Sequence, residues 1–174
     1  MKTLVIAVHP NMEGSLVNKT WMNRLQDEED VTVHDLYAAY PDGKIDVERE
    51  QKLLLAHDRI VFQFPLYWYS SPALLKEWQD VVLTYGWAYG SEGTKLHGKE
   101  LLLAISTGGP EDAYQAGGYN QFSLNELLKP FQATANLTGM RYLPVFKAQG
   151  VRLLNEEEVK ASAEALVIHI KKAY

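Results

Sequence analysis

The chain contains no cysteine. That excludes disulfides, thiolate metal sites, iron–sulfur clusters and thiol nucleophiles. No apolar run approaches the roughly 20 residues that a membrane-spanning helix needs, so membrane insertion is not expected. There is no excess of positive charge: 17 Lys and Arg stand against 22 Asp and Glu, a net charge of -5. A nucleic-acid binder shows a basic face, so no nucleic-acid partner is expected either. His9, His34, His57, His97 and His169 form no H-E-x-x-H or H-x-x-x-H pair, which leaves no metal-ligand pattern. No serine sits in G-x-S-x-G, the signature of an α/β-hydrolase nucleophile. Internal repeats and low-complexity segments are absent as well.

What is present is an ordinary globular composition of 174 residues, 47% hydrophobic and 22% charged. That length suits one domain over residues 1–174 and can bury a real core. The apolar start is too short for a signal peptide and reads as a buried first strand, and the lack of cysteine fits a cytoplasmic location. Apolar runs alternate with helical patterns. Strands are expected at residues 4–8, 31–36, 59–64, 101–105 and 142–146, with Pro65 ending the third. The period-two pattern of residues 31–36 suits a strand near the sheet edge. Helices are expected at residues 16–28, 46–56, from Pro72 to about 84, 122–137 with a break near Pro130, and 156–172. The last has a Glu-rich start and a Lys-rich end, as the helix dipole favours. This alternation predicts a mostly parallel sheet covered on both faces, with its ligand at the carboxyl ends of the strands.

Three loops fall at those ends. The first runs from His9 through Pro10, Gly14, Ser15 and Leu16 to Asn18. A helix start offers free N–H groups and a positive dipole end to an anion. Ser15 and Asn18 add side-chain donors and His9 a charge-assisted one. A plain helix cap at Ser15 explains the loop equally well, and neither dinucleotide nor P-loop glycine pattern is there. The second loop is Pro65-Leu66-Tyr67-Trp68-Tyr69-Ser70-Ser71-Pro72. Three consecutive aromatics between prolines suit the stacking surface of a planar ligand. A dimer interface is the compatible alternative, since aromatics are enriched there too. The third is Ser106-Thr107-Gly108-Gly109-Pro110 with Tyr114 and residues 115–120 following. Paired glycines let a backbone approach a ligand closely, although on its own this segment is better read as a plain turn.

At these loops the chain resembles the flavodoxin-like NAD(P)H quinone oxidoreductases. The similarity is greatest to the short bacterial NAD(P)H oxidoreductases, the group that includes ancillary flavoproteins of glutathione-gated potassium efflux systems. The motifs that carry it are His9-Pro10 with Ser15 and Asn18, Phe62-Gln63-Phe64-Pro65-Leu66-Tyr67-Trp68-Tyr69, Ser71-Pro72-Ala73-Leu74-Leu75-Lys76-Glu77-Trp78, Thr107-Gly108-Gly109 and Leu128-Lys129-Pro130-Phe131. They run in order over nearly the whole chain.

The resemblance implies an α/β, flavodoxin-like three-layer sandwich with a five-stranded parallel sheet in order 2-1-3-4-5. It implies a flavin, FMN with FAD as the alternative, and NAD(P)H as co-substrate. The flavin phosphate would lie on the loop of His9, Ser15, Leu16 and Asn18. Its ring would lie against Pro65, Leu66, Tyr67, Trp68 and Tyr69 and against Thr107, Gly108 and Gly109. Tyr114 matches the family's tyrosine beside the flavin. The larger members have a histidine soon after it, for which Asn120 is the nearest polar substitute here. Members are homodimers, and Tyr85-Gly86-Trp87-Ala88-Tyr89 matches the segment that lines the partner subunit's site. The implied activity is two-electron reduction of a quinone or similar planar acceptor. Azo or nitro compounds as acceptors at the same site, and service as a regulatory subunit of a transporter, are the alternatives. An electron-carrier flavodoxin is disfavoured, because residues 8–11 are not a T-x-T-G-x-T loop.

Overall fold

The computed structural model describes residues 1–174. The first apolar run forms β1 (Thr3–Ala7), every residue of which is buried. Alternate side chains leave a strand on opposite faces. Leu4 and Ile6 therefore enter one core with Phe62, Phe64, Leu103 and Ile105, while Val5 enters a second with Val61, Leu102 and Ala104. A strand covered on both sides has to be apolar at every position.

The first two crossovers contain α1 (Leu16–Gln26), then β2 (Val31–Asp35), α2 (Leu36–Ala39) and α3 (Val47–Leu55). The sequence predicts strand through Leu36. Instead the Asp35 carboxylate accepts the Ala38 N–H and opens the short α2. Next come β3 (Arg59–Pro65), α4 (Ala73–Val82) and β4 (Glu100–Ser106). Pro65 is the last residue of β3 and pairs with Ser106, so the strand includes the proline. Pro72 is the N-cap of α4. The predicted helix at 122–137 is two, α5 (Leu124–Leu127) and α6 (Lys129–Leu137), with Pro130 in the first turn of the second.

All strand pairs are parallel, in the order β2-β1-β3-β4 and then a divided fifth position. The sequence predicts one strand at 142–146. In its place β5 (Arg141–Tyr142) pairs with Glu100 and Leu101, and β6 (Phe146–Ala148) pairs with Ala104 to Ser106. Residues 143–145 lie opposite Leu102 and Leu103, so one extra residue bulges there. Pro144, within the bulge, has no N–H to give to the ladder.

The remaining helix, α7 (Glu156–Lys171), lies beside α1 over the second core, with Trp21, Leu25, Leu166 and Ile170 buried between them and the sheet. Leu54, Trp78 and Phe131 bring α3, α4 and α6 onto the first. One carboxylate is buried there. Glu50, fully enclosed, accepts hydrogen bonds from His34 Nε2 at 2.9 Å, the Tyr40 hydroxyl at 2.6 Å and Trp78 Nε1 at 2.8 Å. Burial opposes its ionisation. The three donors outweigh burial and hold its pKa below the usual carboxylate range.

The amino ends of the strands are closed by ion pairs. Arg59, 1% exposed, pairs with Glu100 across β3 and β4, and Glu100 also pairs with Arg141 of β5. Arg59 donates further to the carbonyls of Ile170 and Lys172 at the end of α7. No helix is long and apolar enough to cross a membrane.

Candidate functional site

At the other end of the sheet the loops after β1, β3, β4 and β6 converge. They enclose a two-part cleft whose halves share Leu66, Gly108 and Arg152. One half, of about 470 Å³, is lined by His9, Ser15, Leu16, Pro65 and Tyr67 among others. The other, of about 900 Å³, takes in Trp68, Tyr69, Gly109, Tyr114 and Asn120. Sizes of this order suit a nucleotide-sized ligand.

In the smaller half, Ser15 is the N-cap of α1. Its Oγ accepts the Asn18 N–H at 3.3 Å and the Asn18 side-chain amide at 3.1 Å. Both acceptor positions are then taken, leaving the hydroxyl proton to donate elsewhere. The first N–H groups of α1 have no partner within the helix. His9 Nδ1 accepts the Asn11 N–H at 3.1 Å, which leaves Nε2 as the protonated nitrogen. Burial lowers the pKa of His9, with Asp35 acting in the opposite sense. Its ring meets Tyr67 edge-on at 6.0 Å.

Asn18, expected to face the ligand, is buried and turns inward. Its amide donates to Ser106 Oγ at 3.0 Å as well as to Ser15, tying the first loop to the end of β4. Gln63 lies beneath and donates to the Asn18 carbonyl at 2.9 Å. The side-chain oxygens of Asn18 and Gln63 are buried without a protein partner. A polar floor of this kind is costly in a plain core and common under a polar ligand.

In the larger half, Tyr67 and Ser70 exchange backbone hydrogen bonds at 3.1 and 2.9 Å, forming a tight two-residue turn. Its central residues, Trp68 at φ 48° and Tyr69 at φ 62°, are both left-handed. Turns of that geometry normally carry Asn or Gly, so two bulky aromatics here store strain. The turn exposes 93% of Trp68. The N–H groups of Trp68, Tyr69, Gly108 and Gly109 donate to no protein acceptor.

Tyr114 lies against Gly109, where an added Cβ would come within 3.1 Å of its ring. A side chain at that position would press on the phenol and shift it by a few tenths of an ångström. Burial raises the Tyr114 pKa, and nearby Tyr69 adds to the rise. The phenol is thus protonated, a neutral donor, at neutral pH. Thr107 is buried, and its hydroxyl donates to the Gly109 carbonyl at 2.8 Å. Tyr69 donates to Asn120 Oδ1 at 3.2 Å, linking the second and third loops across the cleft. Asn120 is held by its own N–H on the Ala113 carbonyl at 2.8 Å.

Arg152 was not among the residues singled out in the sequence. It follows β6, and the divided fifth strand hid a fourth carboxyl-end loop. The topological rule applied to every strand would have pointed to it. Ser106 opens the third loop and Gln63 falls within a strand motif in the sequence, but neither was assigned a role at the site.

Residues 1–172 match the family model described as flavodoxin-like fold, and the chain belongs to that family. Within it, "Uncharacterized NAD(P)H oxidoreductase YrkL" of Bacillus subtilis (strain 168) is 66% identical over 171 residues, covering 98% of each chain. The glutathione-regulated potassium-efflux system ancillary protein KefG of Serratia proteamaculans is 45% identical over 164 residues, 94% of this chain and 90% of that one. Among solved structures, general stress protein 14 of Treponema denticola, in complex with FMN, is 45% identical with a TM-score of 0.93, covering 98% of both chains. A protein of P. pentosaceus described as an NADPH-quinone reductase is 38% identical with a TM-score of 0.91 over the full length of both.

Proposed function

We propose that this chain is an FMN-dependent NAD(P)H oxidoreductase that reduces quinones or similar planar acceptors by two electrons. The observation that carries the reading is the donor set of the cleft. Four unpaired backbone N–H groups lie beside exposed aromatic rings at one end, and a capped helix start lies at the other. A flavin mononucleotide has this same division, a flat heterocycle with hydrogen-bonding edges and a terminal phosphate. The names of the relatives, an NAD(P)H oxidoreductase, an FMN complex and an NADPH-quinone reductase, agree with it.

His9 Nε2, the Ser15 hydroxyl and the N–H groups at Leu16 would hold the phosphate. Asn18 acts through Ser15 as a positioning residue. The ring would lie against Pro65 to Tyr69 and against Gly108 and Gly109, with Thr107 holding the Gly109 carbonyl. When bound, FMN supplies a two-electron carrier that accepts hydride from NAD(P)H and passes reducing equivalents to the acceptor. Tyr114 keeps its proton at Oη and donates it as a hydrogen bond where negative charge develops. Trp68 and Tyr69 wall the slot that donor and acceptor occupy in turn. Asn120 cannot titrate, so it orients Tyr69 and a hydrogen-bonded acceptor and does not relay a proton.

The whole of residues 1–174 acts as one domain in this reading, in the cytoplasm and as a homodimer. Exposed Trp68, Tyr85, Tyr119 and Phe122 support the dimer, because such aromatics are enriched at interfaces. Identity to KefG supports a second reading, in which the same flavoprotein serves a potassium-efflux transporter. The test of the main reading is to release and identify the flavin, then to screen NADH and NADPH against quinone, azo and nitro acceptors. FMN and menadione turnover are expected. FAD would revise the cofactor, and the absence of turnover with every acceptor would refute the enzyme. Capture of an efflux transporter by a protein without turnover would favour the second reading.

A further inference from the structure

We infer that Arg152 is the anion-recognition residue of this cleft, binding the phosphate oxygens of a nucleotide ligand. Arg24, Arg59 and Arg141 are held in ion pairs, and Arg49 lies over the Tyr40 ring at 6.0 Å. Arg152 has neither an ion pair nor a hydrogen bond within the protein, although Asp112 lines the same half of the cleft. Its side chain crosses the junction of the two halves, with Nε 3.4 Å from where a Cβ on Gly108 would stand. It is the one permanent cation that lines either half.

An unpaired guanidinium beside a glycine backbone is shaped for bidentate contact with phosphate. Two ligands of the proposed reaction bring such oxygens here, and this inference rests on that reaction. The first is the flavin's own phosphate, and the second is the diphosphate of the nicotinamide donor. The terminal phosphate would already have His9, Ser15 and the start of α1 around it. Arg152 also borders the half that holds Trp68, Tyr69 and Tyr114, where a nicotinamide has to stack. A donor reaching that half carries its diphosphate past the junction.

The experiment compares wild type with Arg152→Gln and Arg152→Lys, using two hydride donors and FMN binding to apoprotein. NADPH carries the diphosphate, and dihydronicotinamide riboside carries no phosphate. Recognition of the donor predicts that the ratio of kcat/KM for NADPH to that for the riboside falls about tenfold in Arg152→Gln, through KM. The lysine variant recovers part of it. Recognition of the flavin phosphate predicts instead that the Kd for FMN rises about tenfold with the ratio unchanged. If both the ratio and the Kd match wild type, Arg152 does not recognise phosphate and the inference falls. Failure of the wild type to oxidise either donor would refute the reductase reading separately, and FMN binding would still report on Arg152.

Discussion

The two ends of strands β3 and β4 are built on opposite principles. At the amino end, Arg59 and Glu100 sit opposite one another in register and pair, Arg141 joins them, and the last carbonyls of α7 are taken up by Arg59. At the carboxyl end of the same strands, Pro65 and Ser106 lead into loops that leave N–H groups unpaired, an arginine without a partner and two aromatics in left-handed turn positions. Charge at the amino end is compensated within the protein. Hydrogen-bonding capacity at the carboxyl end is left open, and the turn there is strained. Substitutions at the first should therefore change stability, and substitutions at the second should change binding and rate.

The largest effect expected is at the amino end. Glu100→Ala leaves Arg59 buried without its carboxylate and should lower unfolding free energy by about 3 kcal/mol or more in urea titrations. FMN affinity of the folded fraction should stay near wild type, and a parallel loss of affinity would show that the two ends are coupled. At the carboxyl end, Tyr114→Phe removes the neutral donor. Flavin reduction by NAD(P)H should slow about tenfold or more in stopped flow, with FMN still bound and the melting temperature little changed.

Trp68→Gly sharpens the contrast because its two effects have opposite signs. Relief of the left-handed strain should stabilise the fold by about 1 kcal/mol, while loss of the ring weakens binding of the nicotinamide donor. A variant that is both less stable and fully active would contradict the strained-turn account. The smallest effect concerns His9. Burial holds its pKa below the usual imidazole value in the free protein, and a bound phosphate would raise it. The extra affinity from the imidazolium is fully present below the free-state pKa and is lost as pH rises through the bound-state pKa. The FMN affinity of wild type relative to His9→Gln should therefore fall about threefold across that window. A flat ratio from pH 5 to 8 would mean that His9 acts only as a neutral donor.

Much of this architecture was legible because continuous apolar runs mark strands covered on both faces, as at β1 and β4. The first helix start was legible too, since Ser15 carries the side chain that a cap requires. Local pattern failed where tertiary geometry overrides it. The bulge at residues 143–145 divides one apolar run into two strands. No propensity rule would place Trp68 and Tyr69 at positive φ. Asn18 was singled out for its chemistry, but its inward orientation follows from Ser106, a residue 88 positions away. Arg152 is ordinary in sequence and becomes notable only because the fold leaves it unpaired beside Gly108.

The central claim is that the open, strained end of the sheet is a flavin reductase site. Anaerobic mixing of the FMN-loaded protein with NADPH, followed by menadione, tests it most directly. The account predicts bleaching of the flavin band by NADPH and its full return with one equivalent of quinone. A flavin that stays oxidised with both NADPH and NADH, or one that is reduced and not reoxidised by quinone, would contradict it.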